Sequence, residues 1–341
     1  MTALTMPAQP GQDASLRPMR WRRMAWVTWR QHRLTLAGVV AVLGAVSLYL
    51  YITGQQIHHE AFVPYAPGPG LTLTAALFQV IPALIGAFAG APVLARELET
   101  GTFRFTWTQG FGRARWTVAT LAPLAITVTV VAGAFGFLFS WCYGPRIGGK
   151  YGLSPLALAT FDLRGVAFAA WTLTAFSIGV FAGILIRRVV PAMFATLVAW
   201  SGLAVVTGVF LRPHYEAPLV TSNPNLPNSA WVMSQRWTRG GKPVSLSTVN
   251  QVLQKVGATE VAPGHFAQNP VAPGQSAPPP GSTLGNVSPA QYLLHHGFTQ
   301  LMSYQPASRF WPFQWIEGGW LFALSLLLMT VAVWLVRRRA A

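Results

Sequence analysis

The stretch Arg96-Glu-Leu-Glu-Thr-Gly-Thr-Phe-Arg-Phe-Thr-Trp-Thr-Gln-Gly-Phe-Gly-Arg-Ala-Arg-Trp116 decides how the rest of the chain is read. It carries Arg96, Glu97, Glu99, Arg104, Arg113 and Arg115 in a chain that is only 9% charged. Leu71–Ala95 before it and Thr117–Trp141 after it are long apolar runs. A segment this polar cannot lie in hydrocarbon, so the two runs cross a bilayer and this loop joins them outside it. Its four arginines predict the cytoplasmic side.

Working outward, four more runs are long enough for a core of about 30 Å at 1.5 Å per residue. They are Leu34–Ile52, Gly165–Ile186, Val189–Leu211 and Gly318–Val336. Only Arg187-Arg188 separates the fourth and fifth runs, so they form a tight hairpin. Basic residues then assign the sides. Six lie in the amino-terminal segment, four in the 96–116 loop, two in the hairpin and three at Arg337–Arg339. Those fifteen of the chain's 24 basic residues share one side, which places both termini in the cytoplasm. Trp116 and Trp334 at inner span ends, and Trp141, Trp315 and Trp320 at outer ends, fit an aromatic belt.

The expected fold is an all-α polytopic membrane protein with six transmembrane helices, an amphipathic N-terminal interfacial helix and a small, loop-rich extracytoplasmic domain. Residues 1–15, rich in Pro, Gln, Gly and Ser, read as a disordered terminus with no cleavable signal. Residues 16–33 place Trp21, Met24, Ala25, Thr28 and Trp29 on one helical face and Arg20, Arg22, Arg23, Arg30 and Arg33 on the other. That is the pattern of a helix lying in the headgroup zone, or of a basic stop before the first span. Residues 34–211 hold five spans and the 96–116 loop, and residues 212–313 form the outer domain. Within it, Ser245–Val256 and Pro289–Gly297 suit short helices and Ala262–Gly285 reads as linker. Residues 314–341 hold the sixth span and a basic tail.

Composition excludes much else. A net charge of +16 invites a nucleic-acid reading, but the basic residues flank apolar runs and no lysine-rich tract or aromatic platform appears. Gly144-Pro-Arg-Ile-Gly-Gly149-Lys150 has phosphate-loop spacing, but Tyr151 stands where a Mg²⁺-binding hydroxyl is needed and no strand precedes it. His58-His59-Glu60 and His295-His296 are adjacent residues, which project in different directions and make poor chelates. No metal, cofactor or catalytic residue is therefore expected, and no enzymatic activity. No ionisable residue falls well inside a run: Asp162 and Glu317 sit at outer ends, and Gln79 is the most polar group at depth. Any transport is then driven from outside the membrane part.

Gly86-Ala-Phe-Ala-Gly90 and Gly179-Val-Phe-Ala-Gly183 are small-x-x-x-small faces that permit close helix packing, with one another or with a second subunit. Pro82 and Pro92 bracket the first and should bend the second span. In the loop, Gly101 stops a helix, and Phe103, Phe105, Trp107 and Phe111 offer rings beside charges, as protein contacts do.

The run Ala95-Arg-Glu-Leu-Glu99-Thr-Gly101-Thr102-Phe-Arg104-Phe-Thr-Trp107-Thr-Gln109, with Arg113-Ala-Arg115-Trp116, resembles the loop between second and third spans in membrane subunits of type-2 ATP-binding-cassette exporters of actinobacterial type. Trp29-Arg-Gln-His-Arg33 and Tyr304-Gln-Pro-Ala-Ser-Arg309-Phe-Trp311 add to the likeness. The resemblance implies a permease in the cell membrane that dimerises with itself or a sister permease and exports a hydrophobic or amphipathic molecule. It also implies a separate cytosolic ATP-binding subunit docking on a coupling element framed by Arg96, Glu97, Glu99, Gly101, Thr102, Arg104, Trp107, Arg113 and Arg115. The alternatives are a membrane-anchored sensor or assembly protein whose outer domain binds a ligand, and a polytopic enzyme using the histidine pairs.

Overall fold

The computed structural model describes residues 21–59, 69–100, 113–147, 154–223, 226–227, 229–254, 258–262, 265–268 and 289–339. Side chains of residues 21–29, 31–32, 69–72, 113, 259–262, 265–268 and 339 lie outside the description. Among the described residues, six helical stretches are long and apolar enough to cross a membrane. The first, α1, runs unbroken from Trp21 to His59, so the described part of the expected interfacial segment, residues 21–33, and the first span are one 39-residue helix. At 1.5 Å per residue it reaches roughly 58 Å, well past a 30 Å hydrocarbon core.

The second span is built in pieces: α2 (Pro69–Gln79), α3 (Ile81–Ile85), a π-helical turn at Gly86–Gly90 and α4 (Ala91–Thr100). Pro92 explains the π turn, because it has no N–H for the Phe88 carbonyl; Ala91 N–H instead bonds five residues back to Gly86 O. The expected bend at the prolines thus takes the form of a widened turn. The third span is α5 (Arg113–Tyr143) and the fourth α6 (Ala167–Ile186). The fifth is α7 (Val189–Val206), which continues through a second π turn at Thr207–Leu211. Again a proline follows closely, Pro213, and Arg212 N–H bonds back to Thr207 O. The sixth is the last helix, Phe310–Arg339.

Of these, α6 is the hub, with 78% of its span buried inside the chain against 11% for Val189–His214 and 17% for Arg33–His59. Its small residues Ala170, Ala175, Gly179 and Gly183 let neighbours come close. Its hydroxyls satisfy themselves locally, Thr172 Oγ1 donating to Phe168 O at 2.6 Å and Ser177 Oγ to Leu173 O at 2.8 Å. By contrast α1 buries one narrow stripe, Leu36, Leu43, Leu50 and Ile57, a seven-residue repeat packed in the same core as Leu121, Leu124, Val128 and Phe135 of α5. Val39 and Val46 flank that stripe, while Val40, Val42, Leu48, Tyr49, Tyr51 and Ile52 are exposed.

Residues 212–309 hold more order than a loop-rich domain. Strands β1 (Leu219–Thr221), β2 (Trp231–Arg239), β3 (Lys242–Pro243) and β6 (Phe298–Gln305) form an antiparallel sheet in the order β1-β6-β2-β3. Gly240 and Gly241, at φ +58° and +77°, make the two-residue turn between β2 and β3 that a side chain would strain. Helices α8 (Leu246–Gln254) and α9 (Pro289–His295) close one face over a core of Trp237, Val249, Leu253, Leu293 and Phe298. They fall within Ser245–Val256 and Pro289–Gly297, the two stretches that suited short helices. Strands β4 (Ala258–Ala262) and β5 (His265–Gln268) form a separate hairpin that enters the stretch read as linker. The rest of that linker, and residues 1–15, lie outside the described residues.

Candidate functional site

The bundle has two ends. The loop end holds Thr100, Arg113 and the Arg187 turn; the sheet end holds the 154–166 segment, Arg212 and the start of α10 (Phe310–Arg339). Each end carries a polar construction.

At the loop end, Glu99 Oε2 accepts the Val189 N–H at 3.1 Å, so a carboxylate from the second span caps the fifth. Arg187 closes α6 in the left-handed conformation, φ 57°, its N–H on Gly183 O. Arg96 is exposed, and Glu97 is half-buried with Oε2 lacking a hydrogen-bond partner among the described residues. Arg115 is half-buried. Gly101, Thr102, Arg104 and Trp107 lie outside the described residues, as does the side chain of Arg113, the first residue of α5. Deeper in, the two glycine pairs lie against one another's helices. A Cβ on Gly90 would sit 2.5 Å from Phe176 O, and one on Gly183 would sit 2.6 Å from Ala91 O. Gly86 and Gly179 are closer still to the facing backbone.

At the sheet end, three charged side chains from distant parts of the sequence meet. Arg212, after the second π turn, is fully buried and grips Glu317 of α10 side-on, Nε to Oε2 at 3.0 Å and Nη2 to Oε1 at 2.8 Å. Its Nη2 also bonds Asp162 Oδ1. Glu317 is further held by Trp171 Nε1 at 2.9 Å and by the Tyr215 hydroxyl at 3.1 Å, and Trp320 Nε1 supports Tyr215 at 3.2 Å. The guanidinium lies over the Phe161 ring, 4.3 Å from its centre. Gln314 fixes the loop that carries Asp162, donating to Phe161 O at 3.0 Å and accepting the Ala167 N–H at 2.9 Å.

One cation faces two carboxylates, so the fully ionised cluster carries a net negative charge in surroundings that solvate it poorly. Asp162 takes up the imbalance. Burial pushes its carboxyl up to about 7, with Arg212 opposing and Glu317 adding to the rise. Unlike Arg212 and Glu317, its side chain is 24% exposed. It opens on a cavity of ≈ 310 Å³ lined by Gln79, Phe168, Trp171, Trp200, Val205 and Val209, among others.

Sequence reasoning missed this cluster. Asp162 and Glu317 looked like ends of apolar runs, but the last helix begins at Phe310 rather than Gly318, which brings Glu317 inside it. Glu317 and Arg212 still stand at the margins of their apolar runs, just before Gly318 and just after Leu211, but the helical stretches continue through them. The available signal was the charged residue at each of three span ends, each with an aromatic residue within three positions: Phe161 beside Asp162, Tyr215 near Arg212 and Trp315 near Glu317.

Comparison with known proteins bears on both ends. Residues 55–212 match the family described as ABC-2 membrane transporter related. The match runs from the end of α1 through Arg212, and so takes in the Glu99–Val189 contact, both glycine pairs and Asp162, but not Glu317 or the sheet. This part of the chain is similar to the membrane component of such transporters. No curated protein and no solved structure matches the chain.

Proposed function

We propose that the chain is the permease subunit of an ATP-binding-cassette exporter in the cell membrane, with both termini cytoplasmic. A separate cytosolic subunit hydrolyses ATP and docks on residues 96–116. The observation that carries this reading is the family match over 55–212, on a body with six apolar helices. The Glu99–Val189 hydrogen bond supports a route for the motion: a push on the loop moves the foot of α7 with it. The π turn at Gly86–Gly90 supplies a place where the second span yields. Poorly buried α1 and α7 leave surface for a second copy or a sister permease. The exported molecule is hydrophobic or amphipathic, since the spans offer mostly apolar walls.

The test is co-expression with the cell's ATP-binding subunits, capture of the one that co-purifies, and measurement of its ATPase rate with and without the permease. Replacing Glu97, Glu99 and Arg104 by Ala together should abolish stimulation while the chain stays folded. Unchanged stimulation, or no co-purifying ATPase, would refute the reading, and ligand binding confined to residues 212–313 would favour a sensor.

A further inference from the structure

The cavity beside Asp162 has a chemistry of its own. Its walls come from α2, α3, the 154–164 segment, α6, α7 and the second π turn. Three rings, Phe168, Trp171 and Trp200, line it, with Trp171 and Trp200 edge-to-face at 5.7 Å between centres. No Lys, Arg or His lines it, and Asp162 is its one ionisable group among the described residues. Arg212, the neighbouring cation, is fully buried behind that carboxylate and does not reach the space. The remaining wall is mostly aliphatic, with the Gln79 amide and the Ser201 hydroxyl, and ends at Val205 and Val209, which are 59% and 52% exposed and so lead from the cavity to the exposed side of the fifth span.

Aromatic faces around a carboxylate, with a greasy exit, suit an organic cation: rings attract it through their quadrupole and the carboxylate through its charge. An inorganic cation would lose its hydration without enough oxygen ligands to replace it, and an anion would meet the carboxylate. The charge count points the same way. Arg212, Asp162 and Glu317 together are one positive charge short of neutral, and either a proton or a bound monocation restores the balance.

We propose that this cavity is a binding site for a lipophilic monocation, an organic ammonium or phosphonium, whose charge takes the place of a proton on Asp162. The groups facing Asp162 are Arg212 from the end of the fifth span and Glu317 from α10, with the Tyr215 hydroxyl reaching it through Glu317. Arg164, on the same segment, turns away over the Phe310 ring at 4.7 Å, and His214 is engaged with Phe210 O at 2.8 Å. Binding therefore expels a proton and strengthens as pH rises. The inference deepens the proposed function by naming a substrate class. Binding is measured on the chain alone, so its failure is separate from a failure to engage an ATPase.

The experiment uses the full chain in lipid nanodiscs with tetraphenylphosphonium as probe and tetraphenylborate, an anion of the same shape, as control. Competition with a proton at a group titrating near 7 makes the cation bind about 30-fold more weakly at pH 5.5 than at pH 8.5. Proton release on binding, read with an indicator dye at pH 6.5, accompanies it. Asp162→Asn should weaken binding at pH 8.5 by at least about tenfold and leave its pH dependence under about threefold. Should that variant fail to fold, Ala204→Phe fills the cavity while replacing none of the charged side chains, and should likewise abolish saturable binding. Equal binding of the two ions, affinity indifferent to pH, or affinity unchanged in both variants would overturn the proposal.

Discussion

Consider adding a single methyl group at Gly183. Its Cβ would lie 2.6 Å from the Ala91 carbonyl oxygen and 3.3 Å from Ala95 Cβ, whereas ordinary contact begins at 3.4 Å. The oxygen belongs to backbone, so no side chain can turn aside; α4 and α6 must separate by about 0.8 Å at that point, the difference between 3.4 and 2.6 Å. A gap of that size forfeits a quarter to a half of the dispersion attraction along the seam. Overpacking of this kind costs about 1–3 kcal/mol, and the helix gains back about 0.5–1 kcal/mol from losing a glycine. The net expectation for Gly183→Ala is a loss of about 1 kcal/mol, the middle of a range of about 0–2.5 kcal/mol. Gly133→Ala is the matched control: its nearest neighbour is Ala169 Cβ at 3.9 Å, so it should be neutral or slightly stabilising. The chain supplies its own reporter. Cys142 is its sole cysteine and is fully buried, so a fluorogenic maleimide signals unfolding in detergent as the temperature rises. Gly183→Ala should react at a clearly lower temperature than wild type, and Gly133→Ala should not. Equal midpoints for the two variants would refute the claim that the glycines are there for closeness.

The same thiol readout tests the charged cluster in two ways. Asp162 titrates near 7 in the fold against 3.8 ordinarily, so its contribution to stability is whole below about pH 4 and is lost as pH rises through 7. Wild type should therefore soften between pH 5 and pH 8 relative to Asp162→Asn; parallel curves for the two proteins would contradict this. Trp171→Phe keeps a ring but removes the donor that holds Glu317 at 2.9 Å, which should cost about 1.5–3 kcal/mol, as for a hydrogen bond to a charged group. A variant as stable as wild type would mean that Trp171 is held by packing alone.

The spans were legible because membrane crossing needs so little information: some twenty apolar residues, with arginines to mark the ends. The glycine pairs were legible for the same kind of reason, since four-residue spacing of small side chains is a local pattern. The cluster of Asp162, Arg212 and Glu317 was not, because its members are 50 and 105 residues apart and only the packing of α6 against its neighbours brings them together. Glu99 was read as part of a docking element, while its contact with Val189, 90 residues away, was invisible for the same reason. The sheet lacked even a local signal. Trp231–Arg239 alternates half-buried and exposed positions over its first six residues once folded, but Trp-Val-Met-Ser-Gln-Arg does not alternate apolar and polar residues, and the prolines and glycines around it read as loop.

The two widened turns, at Gly86–Gly90 and Thr207–Leu211, carry a consequence for anyone reasoning along these helices. Each admits one residue more than the regular spiral, and one residue is about 100° of arc. A rod that shows its neighbours one flank before the turn shows them another after it. Arg212 comes just past such a slip, so a helical wheel drawn straight through from Val189 assigns the guanidinium to the wrong compass point. Deleting one residue from Thr207–Leu211 would swing that charge around the barrel of the helix, and with it everything the charge holds in place.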